Sequence, residues 1–194
     1  MNRTENLDNI VILNNVRISY PALFVKRSSG AEFEPRYQAT FLVDKKDQKS
    51  IEKIKNALKN LEKVHDIKIL KNDDFTKFPS ICIADGDNLL EDNRDYENYK
   101  GYYRINAKNV KKIKVISPKK VEYLCAEECP LLGGDYVNVK LQFWYLKEYR
   151  RVGACPLVVQ YLREGKRFGK GAMSEEELLF GFKEEEEEED LYNV

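Results

Sequence analysis

Few residues in this 194-residue chain have types and spacings that could do covalent chemistry. Asp85 and Asp87 in "ADGDN" could share a magnesium ion in a nuclease. The same D-G-D is also how a strand turns, glycine supplying the positive φ. With no third carboxylate at a telling spacing, the turn is the better reading. Cys125 and Cys129 form a C-x₃-C pair, but a zinc site needs two further ligands, and Cys82, Cys155 and the single histidine, His65, lie far off in sequence. The four cysteines read as thiols of a reducing compartment. No phosphate loop, dinucleotide fingerprint or nucleophile elbow occurs. The expectation is a protein that is not an enzyme, with no catalytic residue, cofactor or metal.

Binding has better candidates. Single-stranded nucleic acid asks a sheet for cations along the backbone path and flat rings on which bases stack, at about 1–3 kcal/mol per base. In "GYYRINAKN", Tyr102, Arg104, Asn106 and Lys108 alternate away from Tyr103, Ile105 and Ala107. In "DYVNVKLQFWYL", Val137, Val139, Leu141 and Phe143 face a core, leaving Tyr136, Asn138, Lys140, Gln142 and Trp144 on the opposite face. Lys111, Lys112 and Lys114 extend the first set, Arg150 and Arg151 the second, and Arg17 and Arg36 lie on or beside the first two strands. The competing reading makes the rings packing residues and the cations solvated. Duplex reading is disfavoured, because the one good helix mixes lysine with glutamate and has no arginine.

The elements that must hold these residues are mostly strands. "NIVILNNVRISYPALF" is β-rich, with Pro21 as its expected end, and "RYQATFLVD" follows a polar loop at 26–35. In "DQKSIEKIKNALKNLEKVH", Ile51, Ile54, Leu58 and Leu61 form one apolar stripe, which predicts a helix lying across a sheet, capped by Asp47 or Ser50. A strand over Ser80–Ala84, a strand from Gly101, a basic strand-like stretch broken at Pro118, the long strand from Asp135 and a last strand from Ala154 complete the chain. This predicts a mainly β fold, an OB-like Greek-key barrel with one inserted amphipathic helix.

Charge divides the molecule. Residues 174–194 hold ten acids and one lysine, a net of −9 in a chain whose total is zero, so residues 1–173 carry +9. A basic body with an acidic end points to a polyanionic partner. Two units follow: a binding domain over 1–173 and an acidic tail over 174–194. Ser174 and Glu177 stand at capping-box spacing, and Glu184 to Glu189 with Asp190 repel one another and are expected to stay disordered. Leu191 and Tyr192 form an apolar tip. No run of about 18 apolar residues is present to cross a membrane, and the N-terminus lacks a signal-peptide core, so a cytoplasmic location is expected.

The order "NVRISYPALFVKR…YQATFLVDKKD", helix, "FPSICIADGD", "GYYRINAKN", "DYVNVKLQFWYL", "VVQYLREGK" resembles the phage-encoded single-stranded DNA-binding proteins with an acidic C-terminal tail, over roughly residues 14–170. The resemblance implies an OB fold that coats single-stranded DNA with little sequence preference, protecting replication or recombination intermediates. It implies homodimers, residence in a bacterial host cytoplasm, and docking of a polymerase, helicase or recombinase through Glu184, Glu185, Glu186, Glu187, Glu188, Glu189, Asp190, Leu191 and Tyr192. Two departures stand out. "CAEECPLLGGDY" replaces a segment expected to be shorter and free of cysteine, and the tail ends in Tyr-Asn-Val, not phenylalanine. The alternative function is a protein-interaction or DNA-mimic module that works through the acidic end and ignores nucleic acid.

Overall fold

The computed structural model describes residues 8–28, 34–91, 93 and 95–168. The chain enters on β1 (Ile10–Arg27), whose 18 residues serve two neighbours. Its first half pairs antiparallel with β6 (Tyr136–Leu146), and its second half with β2 (Arg36–Asp44). Two irregularities make this possible. The register slips between Leu13 and Val16, where Asn15 has φ 54°, and again between Ser19 and Ala22, where Tyr20 has φ 47°. Pro21 therefore does not end the strand. It occupies the second bulge, where its missing N–H removes no ladder bond, and β1 runs on to Arg27.

The remaining order is β2, helix α1 (Gln48–His65), β3 (Ile83–Asp85), a four-residue helix α2 (Tyr96–Tyr99), β4 (Tyr102–Asn109), β5 (Lys114–Ile116), β6 and β7 (Arg151–Arg163). Neighbours in the sheet run β3-β4-β2-β1-β6-β7-β5, and a parallel pairing of Ala107 with Ala154 brings β4 against β7. That pairing closes β1, β2, β4, β7 and β6 into a five-stranded barrel of OB topology. The alternation read from sequence is visible inside it. Leu13, Ile18, Phe41, Val43, Ile105, Val137, Val139, Leu141 and Phe143 are sealed in one core. Tyr103 also points inward, edge-on to Phe75.

Helix α1 packs its Ile51, Ile54, Ala57, Leu58 and Leu61 stripe against β1 and β6. Asp47 is the N-cap, its carboxylate accepting from the Ser50 N–H. At the far end Asp66 takes the left-handed conformation, and the Glu62 carboxylate accepts from the N–H groups of Ile69 and Leu70 at 2.6 and 2.7 Å. The segment between β3 and β4 contains α2. The D-G-D stretch forms a 3-10 turn at Gly86–Asn88 capped by Asp85, and strand β3 is shorter than expected, starting three residues later and ending one residue later.

Candidate nucleic-acid interface

Strand β4 is the spine of the outer face. Tyr102, Arg104, Asn106 and Lys108 stand on it at every second position, a path of about 20 Å at the usual rise of a strand. Tyr102 lies opposite Asp44, Arg104 opposite Leu42 and Ala84, Asn106 opposite Thr40, and Lys108 opposite Gln38. The Thr40 hydroxyl donates to Asn106 Oδ1 at 2.8 Å, which turns the amide N–H₂ of Asn106 outward. Arg104 is half-buried between its neighbours, and its Nε–H is enclosed without an acceptor.

At one end of this spine three cations crowd together. Burial pushes the Lys108 ammonium below its ordinary pKa, and the nearby charges of Arg151 and Arg36 push it further. Arg36 opens β2 and makes one long ion pair with Glu34 at 3.6 Å; Arg151 opens β7 opposite Leu146. Trp144 joins them from β6. Its ring lies flat over Gly153, filling the space a Cβ there would take at 2.1 Å. The indole N–H is close enough to the Cys155 thiol to offset part of the rise that burial gives it, yet short of hydrogen-bond geometry. Cys155 also feels the charge of Arg36, which links the tryptophan to the cluster.

At the other end lies an open cleft of about 440 Å³ lined by Tyr102, Arg17, Tyr136, Arg163, Asn14 and Lys46, among others. Arg17 pairs in register with Leu42 and Tyr136, and Tyr136 with Arg163. The two guanidinium groups cover the Tyr136 ring at 5.9 and 3.9 Å. Arg17 also lies 4.2 Å from the centre of the Phe168 ring and donates to the carbonyls of Gly134 and Lys166. It fastens the end of the barrel as well as charging the cleft.

The other candidates stand further away. Lys140 is exposed on β6, opposite Ile12 and Val158. Lys111, Lys112 and Lys114 follow β4 into β5; Lys112 donates to the Leu124 carbonyl, and Lys114 pairs with Glu122 at 3.0 Å. Arg150, in the turn between β6 and β7, lines a recess with His65, Tyr145 and Lys147 beside the end of α1. The residues 169–194, with the proposed capping box and the whole acidic tail, lie outside the described residues.

Sequence reading missed Arg163, Phe168 and Tyr149. The first two reach Arg17 through the pairing of β1 with β6 and of β6 with β7, about 150 residues after it in the chain. Tyr149 is 67% exposed at the tip of the β6–β7 turn, between Lys147 and Arg151. Its composition alone, a ring among cations, could have flagged it, but strand alternation does not extend into a turn.

The residues considered for chemistry are otherwise engaged. The Lys45 ammonium bridges Asp85 and Asp87 at 2.5 Å each. That hydrogen bond, with one from the Gly101 N–H, holds the Asp87 carboxyl below its ordinary range. Burial opposes the charge of Lys45, and its bonds to the two carboxylates outweigh that, so it titrates above 10.5. Hydrogen bonding to Glu127 pushes the Cys125 thiol up, and burial does the same for Cys129. Among the described residues no three histidine, cysteine or acidic side chains gather as metal ligands would. His65 packs its ring 5.3 Å from that of Tyr145.

A closed five-stranded barrel with this strand order places the chain among OB-fold proteins. Residues 9–192 match the family of the ssDNA-binding protein of Enterobacter phage Enc34, and the chain belongs to that family. Protein p50 of Acyrthosiphon pisum secondary endosymbiont phage 1 is 30% identical over 182 residues, covering 91% of this chain and 96% of its own. The fold is similar to the single-stranded DNA-binding protein from bacteriophage Enc34 in complex with ssDNA, with a TM-score of 0.68, 24% identity, and coverage of 87% of this chain and 97% of that one. It is also similar to gp2.5, a single-stranded DNA-binding protein encoded by bacteriophage T7, with a TM-score of 0.51 and 11% identity over 86% and 96% of the two chains.

Proposed function

We propose that this protein binds single-stranded DNA along the outer face of β4, coating and protecting it during phage DNA replication and recombination in the host cytoplasm. The observation that carries this reading is the line of Tyr102, Arg104, Asn106 and Lys108 at alternate positions along β4, with Arg36 and Arg151 near enough to act on Lys108. A phosphate backbone laid along that line is favoured by every one of these charges. Family membership supports the same ligand. Little sequence preference follows from what the face offers: cations, ring faces and one outward amide suit any base, because every base has a π-face.

The tail fits this account as a gate. The described chain leaves the barrel at Phe168, against Arg17 at the cleft, and the acidic block follows fifteen residues later, a length that can reach the cations it would cover. Single-stranded DNA, a denser polyanion, displaces it. Leu191 and Tyr192 are then free to meet a polymerase, helicase or recombinase.

The test is a titration with oligo-dT at several salt concentrations, beside duplex and RNA of equal length. If Arg36, Arg104, Lys108 and Arg151 each meet one phosphate, log affinity falls with log salt at a slope of about −3, from roughly −0.7 per contact. A flat response overturns the reading. A chain ended after Met173 binds more tightly at low salt, by about 1–2 kcal/mol; unchanged affinity removes the gate.

A further inference from the structure

Between β5 and β6 the chain presents apolar side chains that the barrel does not cover. Val121 and Leu124 are 65% and 66% exposed. They are held in place: Ile116 bridges to Glu122, the Val121 N–H donates to Ser117 Oγ at 3.1 Å, and the Lys120 N–H donates to the Ser117 carbonyl at 2.9 Å. Exposed Lys119 and Lys120 precede Val121, and Lys112 reaches the Leu124 carbonyl. The result is an ordered hairpin whose apolar surface has Lys112, Lys119 and Lys120 on one side, while Glu122 is paired with Lys114 and Glu128 accepts from the Leu124 N–H at 3.1 Å. Exposed apolar patches of this kind mark interaction sites.

The foot of this same segment is tied to the chain on its way to the tail. Asp135 is fully buried, and its carboxylate accepts from the N–H groups of Leu132 and Gly165 and pairs with Arg167 at 2.5 Å. Fifteen residues, 169 to 183, separate that anchor from the acidic block. As a coil they span about 20–25 Å, and fully extended about 50 Å. The block then reads acidic first and apolar second, Glu184–Asp190 followed by Leu191 and Tyr192, matching lysines followed by Val121 and Leu124 on the hairpin.

We infer that the β5–β6 hairpin is a docking site for the acidic tail of the same chain, with carboxylates on Lys112, Lys119 and Lys120 and the Leu191–Tyr192 tip on Val121 and Leu124. This rests on the tail leaving the cleft when DNA arrives, as proposed above. The displaced tail is then held at a defined place on the protein, and an enzyme that takes the tip must strip it from the hairpin.

Zero-length carbodiimide coupling on the full chain, with and without oligo-dT and mapped by mass spectrometry, tests this. With oligo-dT bound, couplings from Glu184–Asp190 concentrate on Lys112, Lys119 and Lys120, several-fold above Lys49, Lys53 and Lys63 on α1, which are equally open to solvent. The double variant Val121→Asp, Leu124→Asp loses that enrichment, while its circular dichroism matches the parent and oligo-dT still binds, somewhat more weakly because the displaced tail has lost its dock. Even couplings across all exposed lysines, enrichment that survives the double variant, or couplings found solely between chains in an isotope-mixed sample overturn the inference. Oligo-dT affinity read on the same samples separates the two claims: parent protein that ignores oligo-dT defeats the DNA reading, and enrichment without DNA present then decides the docking site alone.

Discussion

Lys108 is the residue through which the proposed ligand is most directly felt. Its pKa lies below the ordinary 10.5 because burial and two arginines disfavour its charged form. A base depressed in the folded state makes its protonated form a cost to folding, present at neutral pH and relieved as pH rises through the depressed value. DNA acts in the opposite direction: a phosphate beside Lys108 favours the charged form, so binding takes up a proton in that window. Affinity for oligo-dT should therefore begin to weaken below the pH at which ordinary lysines discharge. In Lys108→Arg, whose guanidinium stays charged, affinity should hold from neutral pH to about 10. Parallel pH curves for the two proteins would count against a phosphate at this position. Lys108→Ala should lose roughly fivefold in affinity, about 1 kcal/mol.

Tyr102, Arg104 and Lys108 were legible in sequence because period-two alternation is local. The partners of Arg17 were not, because Arg163 and Phe168 reach it only through the long-range pairing of β1 with β6 and of β6 with β7.

At the scale of elements, β1 shows where pattern reading runs out. Proline statistics favour a strand end at Pro21, yet a bulge absorbs the missing donor and lets one strand feed two partners. The register slip at Tyr20 is set by the pairing of Arg17 and Ser19 with β2, a long-range fact. The helix was legible in type and cap because a lone apolar stripe and an Asp at the N-cap are local signals. The D-G-D turn was legible as a turn but not for what it holds. Gly86 is buried under α2, and a Cβ there would sit 2.1 Å from the Tyr99 carbonyl oxygen and 2.7 Å from that of Tyr102. Backbone cannot give way as a side-chain tip can. Gly86→Ala should cost roughly 1–3 kcal/mol, lowering Tm by a few degrees in calorimetry. An unchanged Tm would show that the 3-10 turn is not packed as described.

At the scale of the molecule, the charge division and the barrel belong to one design. The positive body is not evenly spread: Arg36, Lys108 and Arg151 gather at one end of β4, and Arg17 and Arg163 flank a tyrosine at the other. The sequence alone could show that the body was basic, but only closure of β4 on β7 brings the first trio together, since Arg36 and Arg151 open strands far apart in the chain. Lys140 stands on β6 opposite Ile12 and Val158, and Arg150 lines the recess beside the end of α1. The central claim is that single-stranded DNA follows β4 from Tyr102 to the Lys108 cluster. Ultraviolet cross-linking of oligo-dT to the full chain, with the adducts mapped to peptides, tests that path. Adducts should fall within Tyr102–Asn109 and on the peptide spanning Trp144–Arg151. Adducts confined to α1 or to the exposed side of β6 around Lys140 would contradict it.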